Sequence, residues 1–190
     1  MSTSKRQKVW RIRAELDGVW PPVWRKFLVP ERITLLDLHG VIQEMFGWQD
    51  SHLHNYTIRG IEYGDPENDE YGELDIHDES TISLSQLDLE PGESFKYVYD
   101  FGDNWQHTLL IERIMDVEGG RLPRCLAGER ACPPEDVGGI GGYALFREAM
   151  EDPRHPEHDR YREWFSGPFD PEAFEPKEAN RRMRDRVAAQ

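Results

Sequence analysis

Two cysteines among 190 residues cannot build a disulfide framework. The N-terminal Lys5 and Arg6 are followed by no apolar leader. Together these absences point to a cytoplasmic setting with both thiols reduced. Long hydrophobic runs are missing as well. No stretch nears the ~20 apolar residues a spanning helix needs, so no membrane role is expected. Positive charge is scarce, with 23 Lys and Arg against 37 Asp and Glu and a net charge of −14. Such a surface repels a phosphate backbone, so specific duplex DNA binding by the chain alone is not expected. The phosphate loop GxxxxGKS/T, the GxGxxG dinucleotide fingerprint and the GxSxG elbow are all absent. Counted from Asp65, the acidic run puts Glu70 where a calcium loop needs glycine and Ile76 where it needs a carboxylate. It reads as a solvated loop.

What the chain does have is aromatic bulk: six Trp, seven Tyr and eight Phe. Disordered chains are poor in such residues, and this length suffices for one domain with its own core. Charge is unevenly spread. Residues 60–95 hold twelve Asp or Glu and no Lys or Arg, whereas the tail carries Lys177, Arg181, Arg182, Arg184 and Arg186.

Hydrophobic period places the elements. Trp10, Ile12, Ala14 and Leu16 alternate with polar residues as in a half-buried strand. Residues 23–29 read as a second strand after Pro21-Pro22. Leu35, Leu38, Val41, Ile42, Met45 and Phe46 recur at three and four, with Thr34 as N-cap and Gly47 as left-handed stop, giving a helix. Residues 53–58 read as a strand with His52, His54, Tyr56 and Ile58 on one face. Residues 81–87 suit a helical turn. Residues 95–114 form a hairpin about Phe101-Gly102-Asp103-Asn104, whose turn is expected to need Gly102 at positive φ. Residues 121–142 read as a structured loop. Helices follow over 143–150 and 156–165, then a short piece capped by Asp170-Pro171 and ended by Pro176. A last helix carries Ala179, Met183 and Val187.

Three groups of residues carry candidate chemistry. Asp100, Asp103 and His107 lie across one turn, where two carboxylates and an imidazole can act as acid and base. The same residues equally serve a turn, because Asp and Asn bond nearby backbone. Cys125 and Cys132 are thiolates of the kind zinc takes, yet six residues separate them, wider than a close pair. His52 and His54, two apart, can present a metal or form a polar rim. With His107, Cys125 and Cys132 they make the candidate metal set, with zinc as its ion. No other cofactor is indicated. His52 or His54, His107 and the Cys125–Cys132 loop are expected to converge in space.

The segments Trp20-Pro21-Pro22-Val23-Trp24-Arg25, Ser51-His52-Leu53-His54, the run from Tyr99 to His107, and Cys125 through Cys132-Pro133-Pro134-Glu135-Asp136-Val137-Gly138-Gly139 together resemble the plasmid pRiA4b ORF-3-like family. The likeness runs from about Val9 to about Val187 and keeps the motif order. It implies a bacterial or archaeal intracellular α+β protein of a largely uncharacterised group, some of whose members come from plasmids and insertion elements. It also draws Glu135 and Asp136 towards the Asp, His and Cys residues above as lining of one pocket. A serine recombinase would need a nucleophilic serine among arginines. No serine here has that setting outside the N-terminus, so recombinase activity is not inferred.

The resulting expectation is a single α+β domain over residues 9–188, after a disordered segment at 1–8. It has a mixed or antiparallel sheet, one clear N-terminal helix and a C-terminal helical layer from about residue 143. Its function is expected to be binding or accessory, with an unidentified protein or small-molecule partner. The alternative is a metal-assisted or acid–base hydrolase-like enzyme.

Overall fold

The computed structural model describes residues 6–68 and 75–189. The strands are β1 (Arg6–Leu16), β2 (Trp24–Pro30), β3 (His54–Ile58), β4 (Ile61–Gly64), β5 (Ile76–Asp78), β6 (Ser94–Tyr99), β7 (Trp105–Glu118) and β8 (Arg124–Glu129). They form one sheet in the order β5-β4-β3-β6-β7-β1-β2-β8. Every pairing is antiparallel except β4 with β5, so the sheet is mixed. The helices are α1 (Leu35–Phe46), α2 (Gly139–Glu151), α3 (His158–Phe165) and α4 (Pro176–Ala189). No helix among the described residues is long and apolar enough to cross a membrane.

The alternation in β1 sends Ile12, Ala14 and Leu16 into the core and leaves Arg11 and Arg13 on the other face. There Arg11 and Lys26 share Glu112, and Arg13 reaches Glu15. One face of the sheet is thus charged and the other apolar, as antiparallel sheets permit. Helix α1 lies on the apolar face. Thr34 Oγ1 accepts from the Asp37 amide at 3.0 Å, a cap that contributes about 1 kcal/mol. Gly47 ends the helix at φ 87°, a left-handed conformation suited to glycine. Leu35, Leu38, Ile42 and Met45 are fully buried, and Tyr56 donates from the sheet to the Leu35 carbonyl.

Several elements differ from expectation. Residues 121–142 contain β8, which pairs with β2 at the sheet edge. Residues 6–8 belong to β1, and residues 1–5 lie outside the described region. After Asp170-Pro171 comes a turn rather than a helix. Pro176 opens α4 instead of closing a piece before it, since its missing N–H costs nothing in a first turn. Positive φ in the β6–β7 turn falls to Asp100 (57°) and Asn104 (55°), and Gly102 is absent from the left-handed residues. Asp and Asn tolerate that region because their short side chains bond locally.

A second aromatic cluster joins the C-terminal helices to the sheet. Phe146 of α2 meets Tyr161, Trp164 and Phe165 of α3, and also Phe169. Tyr143 stands edge-on to Trp105 of β7.

Candidate metal centre

The hairpin turn sets the first side chain of the site. Asp100 Oδ1 accepts from the Gly102 and Asp103 amides at 2.9 and 3.3 Å, and the Asp100 carbonyl accepts from Asn104 at 2.6 Å. One carboxylate oxygen is thereby committed to the turn, and Oδ2 lies 3.8 Å from His52 Nε2.

Residues 49–53 bring His52 there. The Gln49 amide donates to Glu135 Oε1 at 2.7 Å, Asp50 N to Gln43 Oε1 at 2.9 Å, and Ser51 N to the Tyr99 hydroxyl at 3.0 Å. Three successive amides are held, so the imidazole is placed by its backbone. From the other side, Pro133 and Pro134 stiffen the approach to Glu135, and the Pro133 carbonyl accepts from Trp48 Nε1. Asp136 sits at φ 57°. Gly139, at φ 67°, lets its backbone meet Asp103, where an added Cβ would stand 2.7 Å from the Asp103 carbonyl oxygen. Asp103 Oδ2 accepts from the Gly138 amide at 3.0 Å and so anchors the start of α2 to the hairpin.

The result is one imidazole faced by three carboxylates. His52 Nε2 is 3.1 Å from Asp136 Oδ1, 3.8 Å from Asp100 Oδ2 and 3.9 Å from Glu135 Oε2. His52 Nε2 is buried without a well-formed hydrogen bond: Asp100 and Glu135 stand beyond bonding distance, and Asp136 Oδ1, at 3.1 Å, is poorly aligned. Glu135 Oε2 is buried without a hydrogen-bond partner. Its Oε1 is doubly held, by Gln49 and by the Tyr99 hydroxyl at 3.0 Å. Burial, with a smaller contribution from Glu135, pushes the Tyr99 phenol upward, which keeps it a neutral donor. Ligand atoms of His52, Asp100 and Asp136 all lie within 4.8 Å of one another, the one such group among the described residues. Asp136 is largely exposed, so the cluster opens to solvent on that side.

The other residues singled out from sequence lie elsewhere. His54 and His52 do not share a face, because β3 begins at His54 and His52 belongs to the loop before it. His54 bonds the buried Glu79 and stacks on His39. His107 is fully buried between Phe46 and Trp48. Its Nδ1 donates to the Trp105 carbonyl at 3.0 Å, and burial lowers its pKa to about 4. Cys125 and Cys132 flank the buried Arg25, which donates to the carbonyls of Trp24, Met45, Glu129 and Arg130. Burial pushes the Cys125 thiol up to about 11 and the Cys132 thiol higher still. Neither thiol nor His54 nor His107 joins the group around His52.

Sequence reasoning missed the residues that hold the site in place: Gln43, Gln49 and Tyr99, and beneath them His39. His39 occupies the apolar stripe of α1, four residues after Leu35. A polar residue at a core position was the available signal.

Comparison with known proteins agrees with this fold. Uncharacterized protein y4hQ of Sinorhizobium fredii (strain NBRC 101917 / NGR234) is 39% identical over 181 residues, which cover 95% of this chain and 93% of the relative. A crystal structure of a protein of unknown function, MM3350 from Methanosarcina mazei Go1, superposes with a TM-score of 0.81 at 36% identity, covering 90% of this chain and 97% of that one. The family model for plasmid pRiA4b ORF-3-like protein matches residues 8–178, and the chain belongs to that family.

Proposed function

We propose that this protein binds one divalent metal ion through His52, Asp100 and Asp136, with Glu135 as a fourth donor. The observation that carries this reading is the convergence of ligand atoms of His52, Asp100 and Asp136 within 4.8 Å of one another, beside Glu135 Oε2, which is buried without a hydrogen-bond partner. An unpartnered buried polar group costs about 1–3 kcal/mol. A cation placed among these groups would give Glu135 Oε2 a partner and offset the mutual repulsion of the carboxylates. One imidazole with several carboxylate oxygens suits zinc or manganese better than a soft thiophilic ion.

The role is that of a binding protein whose ligand completes the metal's shell. The exposure of Asp136 favours a second reading, metal-assisted hydrolysis, because an open coordination position is what activation of water requires. On either reading Asp103 has a structural part, as the anchor of α2, and His107 belongs to the core. The intracellular, reduced state of the chain and its avoidance of duplex DNA belong to the same proposal, supported by two free cysteines and the −14 charge.

Equilibrium dialysis of EDTA-stripped protein against Zn²⁺ and Mn²⁺ tests the reading. One ion per chain is expected for the native protein, and a loss of binding in His52→Ala with folding unchanged. Undiminished binding in that variant would refute the assignment.

A further inference from the structure

The cations of this acidic chain are mostly paired. Among the described residues, seven Arg or Lys side chains have neither a carboxylate within 4.0 Å nor a side-chain hydrogen bond: Arg121, Arg124, Lys177 and Arg184, and also Arg32, Arg113 and Arg162. The first four line one groove of about 410 Å³ between the β7–β8 connection and α4. In a chain with 37 carboxylates, four unpaired cations facing one another is the reverse of what surface charge alone would arrange.

The arrangement is held from beneath. Asn180 of α4 clamps the backbone of Cys125, accepting from its amide at 2.9 Å and donating to its carbonyl at 3.0 Å. Ala179 and Met183 are buried on the same helix. Lys177 also stands in the first turn of α4, where the helix dipole adds positive potential. The cationic groove is therefore built by two elements locked together.

A second groove of about 460 Å³ adjoins it. Pro123 lines both, and α4 runs along both. This second space is lined by Ile33, Leu36, Val41 and Met183, with Leu36 44% exposed. Arg32, a fifth unpaired cation, stands at its edge, as do Asp37 and the Glu44–Arg186 pair. The register puts the cationic groove at the opposite end of the sheet from the metal centre. Arg6 pairs with Glu118 at the groove end of β1, and Leu16 pairs with His107 at the other.

We propose that the joined grooves bind a small phosphorylated molecule, its phosphates among Arg121, Arg124, Lys177 and Arg184 and its flat or apolar body against Leu36 and Ile33. A long nucleic acid is disfavoured because phosphates beyond the groove would meet the acidic remainder of the surface. A compact anion uses the local potential without that penalty.

Calorimetric titration in EDTA, which silences the metal centre, tests this with three probes: ATP, inorganic tripolyphosphate and a short single-stranded oligonucleotide. ATP is expected to bind at one site, roughly tenfold or more tighter than tripolyphosphate because only ATP buries a body. The double variant Arg124→Glu/Arg184→Glu should weaken both by roughly tenfold or more. Leu36→Glu should weaken ATP alone. All three positions are exposed, and unchanged thermal melting confirms folding. Equal affinity for ATP and tripolyphosphate, tighter binding of the oligonucleotide, or no binding of ATP would each overturn the proposal.

Discussion

His39 and His54 stack face to face, their ring centroids 3.5 Å apart and their planes 4° from parallel. Each ring is held at its edge by a carboxylate. His39 Nε2 donates to Asp50 at 2.7 Å, while His54 Nε2 contacts Glu79 at 2.9 Å. Because the His39 proton goes to Asp50, its Nδ1 is left to accept from the Tyr97 hydroxyl at 2.7 Å. The same Tyr97 oxygen accepts from Gln43, and Gln43 holds the Asp50 amide. This buried network fastens α1 to the sheet and fixes the loop that carries His52.

Replacing His39 by Ala should therefore act on both fold and site. It removes ring packing and leaves the Tyr97 hydroxyl and Asp50 short of a partner, a destabilisation of about 2–4 kcal/mol. Urea unfolding measures it. Metal affinity should fall as well, since Asp50 is two residues from His52. A loss below about 0.5 kcal/mol would show that the stack is incidental.

His107 gives the fold a pH dependence of definite sign. Burial lowers its pKa from 6.5 to about 4. The unfolded chain thus binds a proton between pH 6.5 and 4 that the folded chain refuses. Stability from this group is fully present above 6.5, declines as pH falls through that window, and is gone near 4. The total is about 3 kcal/mol. Burial also lowers His39, which acts in the same direction. Urea midpoints across pH 7.5 to 4 should fall for the native chain and fall less steeply for His107→Gln. Parallel curves would contradict a neutral, buried His107.

The thiols should be free but slow. Cys125 and Cys132 form no disulfide, and burial raises both pKa values. A thiol reagent under denaturing, non-reducing conditions should count two per chain. Under native conditions both should react far more slowly than an exposed thiol at neutral pH. A count of zero would overturn the expectation of a reducing environment. Fast native labelling would contradict the burial.

Much of the fold was legible in period alone. β1, β2, α1 and the β6–β7 hairpin follow from alternation and from residues spaced at three and four. β8 was not legible, because Cys125-Leu126-Ala127-Gly128 is short and enclosed by proline and glycine, and only its partner β2 makes it a strand. Local chemistry likewise cannot decide whether Pro176 ends or begins a helix. In the hairpin turn the sequence favours Gly102 for positive φ, but the Asp100 side chain captures the following amides and takes the left-handed role itself.

The site was half legible. His52 and Asp100 were singled out as chemistry, and Glu135 and Asp136 through the family likeness. Convergence of His54, His107 and the cysteines with them rested on nearness in sequence. The structure separates them because residues 49–53 turn out of the β3 line, and because His107 and Cys125 point into the core from the sheet.

The coordination shell of bound zinc is the most direct measure of the central claim. X-ray absorption at the zinc edge, on native protein loaded with one equivalent after EDTA treatment, reads the donor atoms. The account predicts a nitrogen and oxygen shell at about 2.0–2.2 Å with a single imidazole, and no sulfur at about 2.3 Å. The imidazole contribution should vanish in His52→Ala. A sulfur shell, two or more imidazoles, or a failure to retain zinc would contradict it.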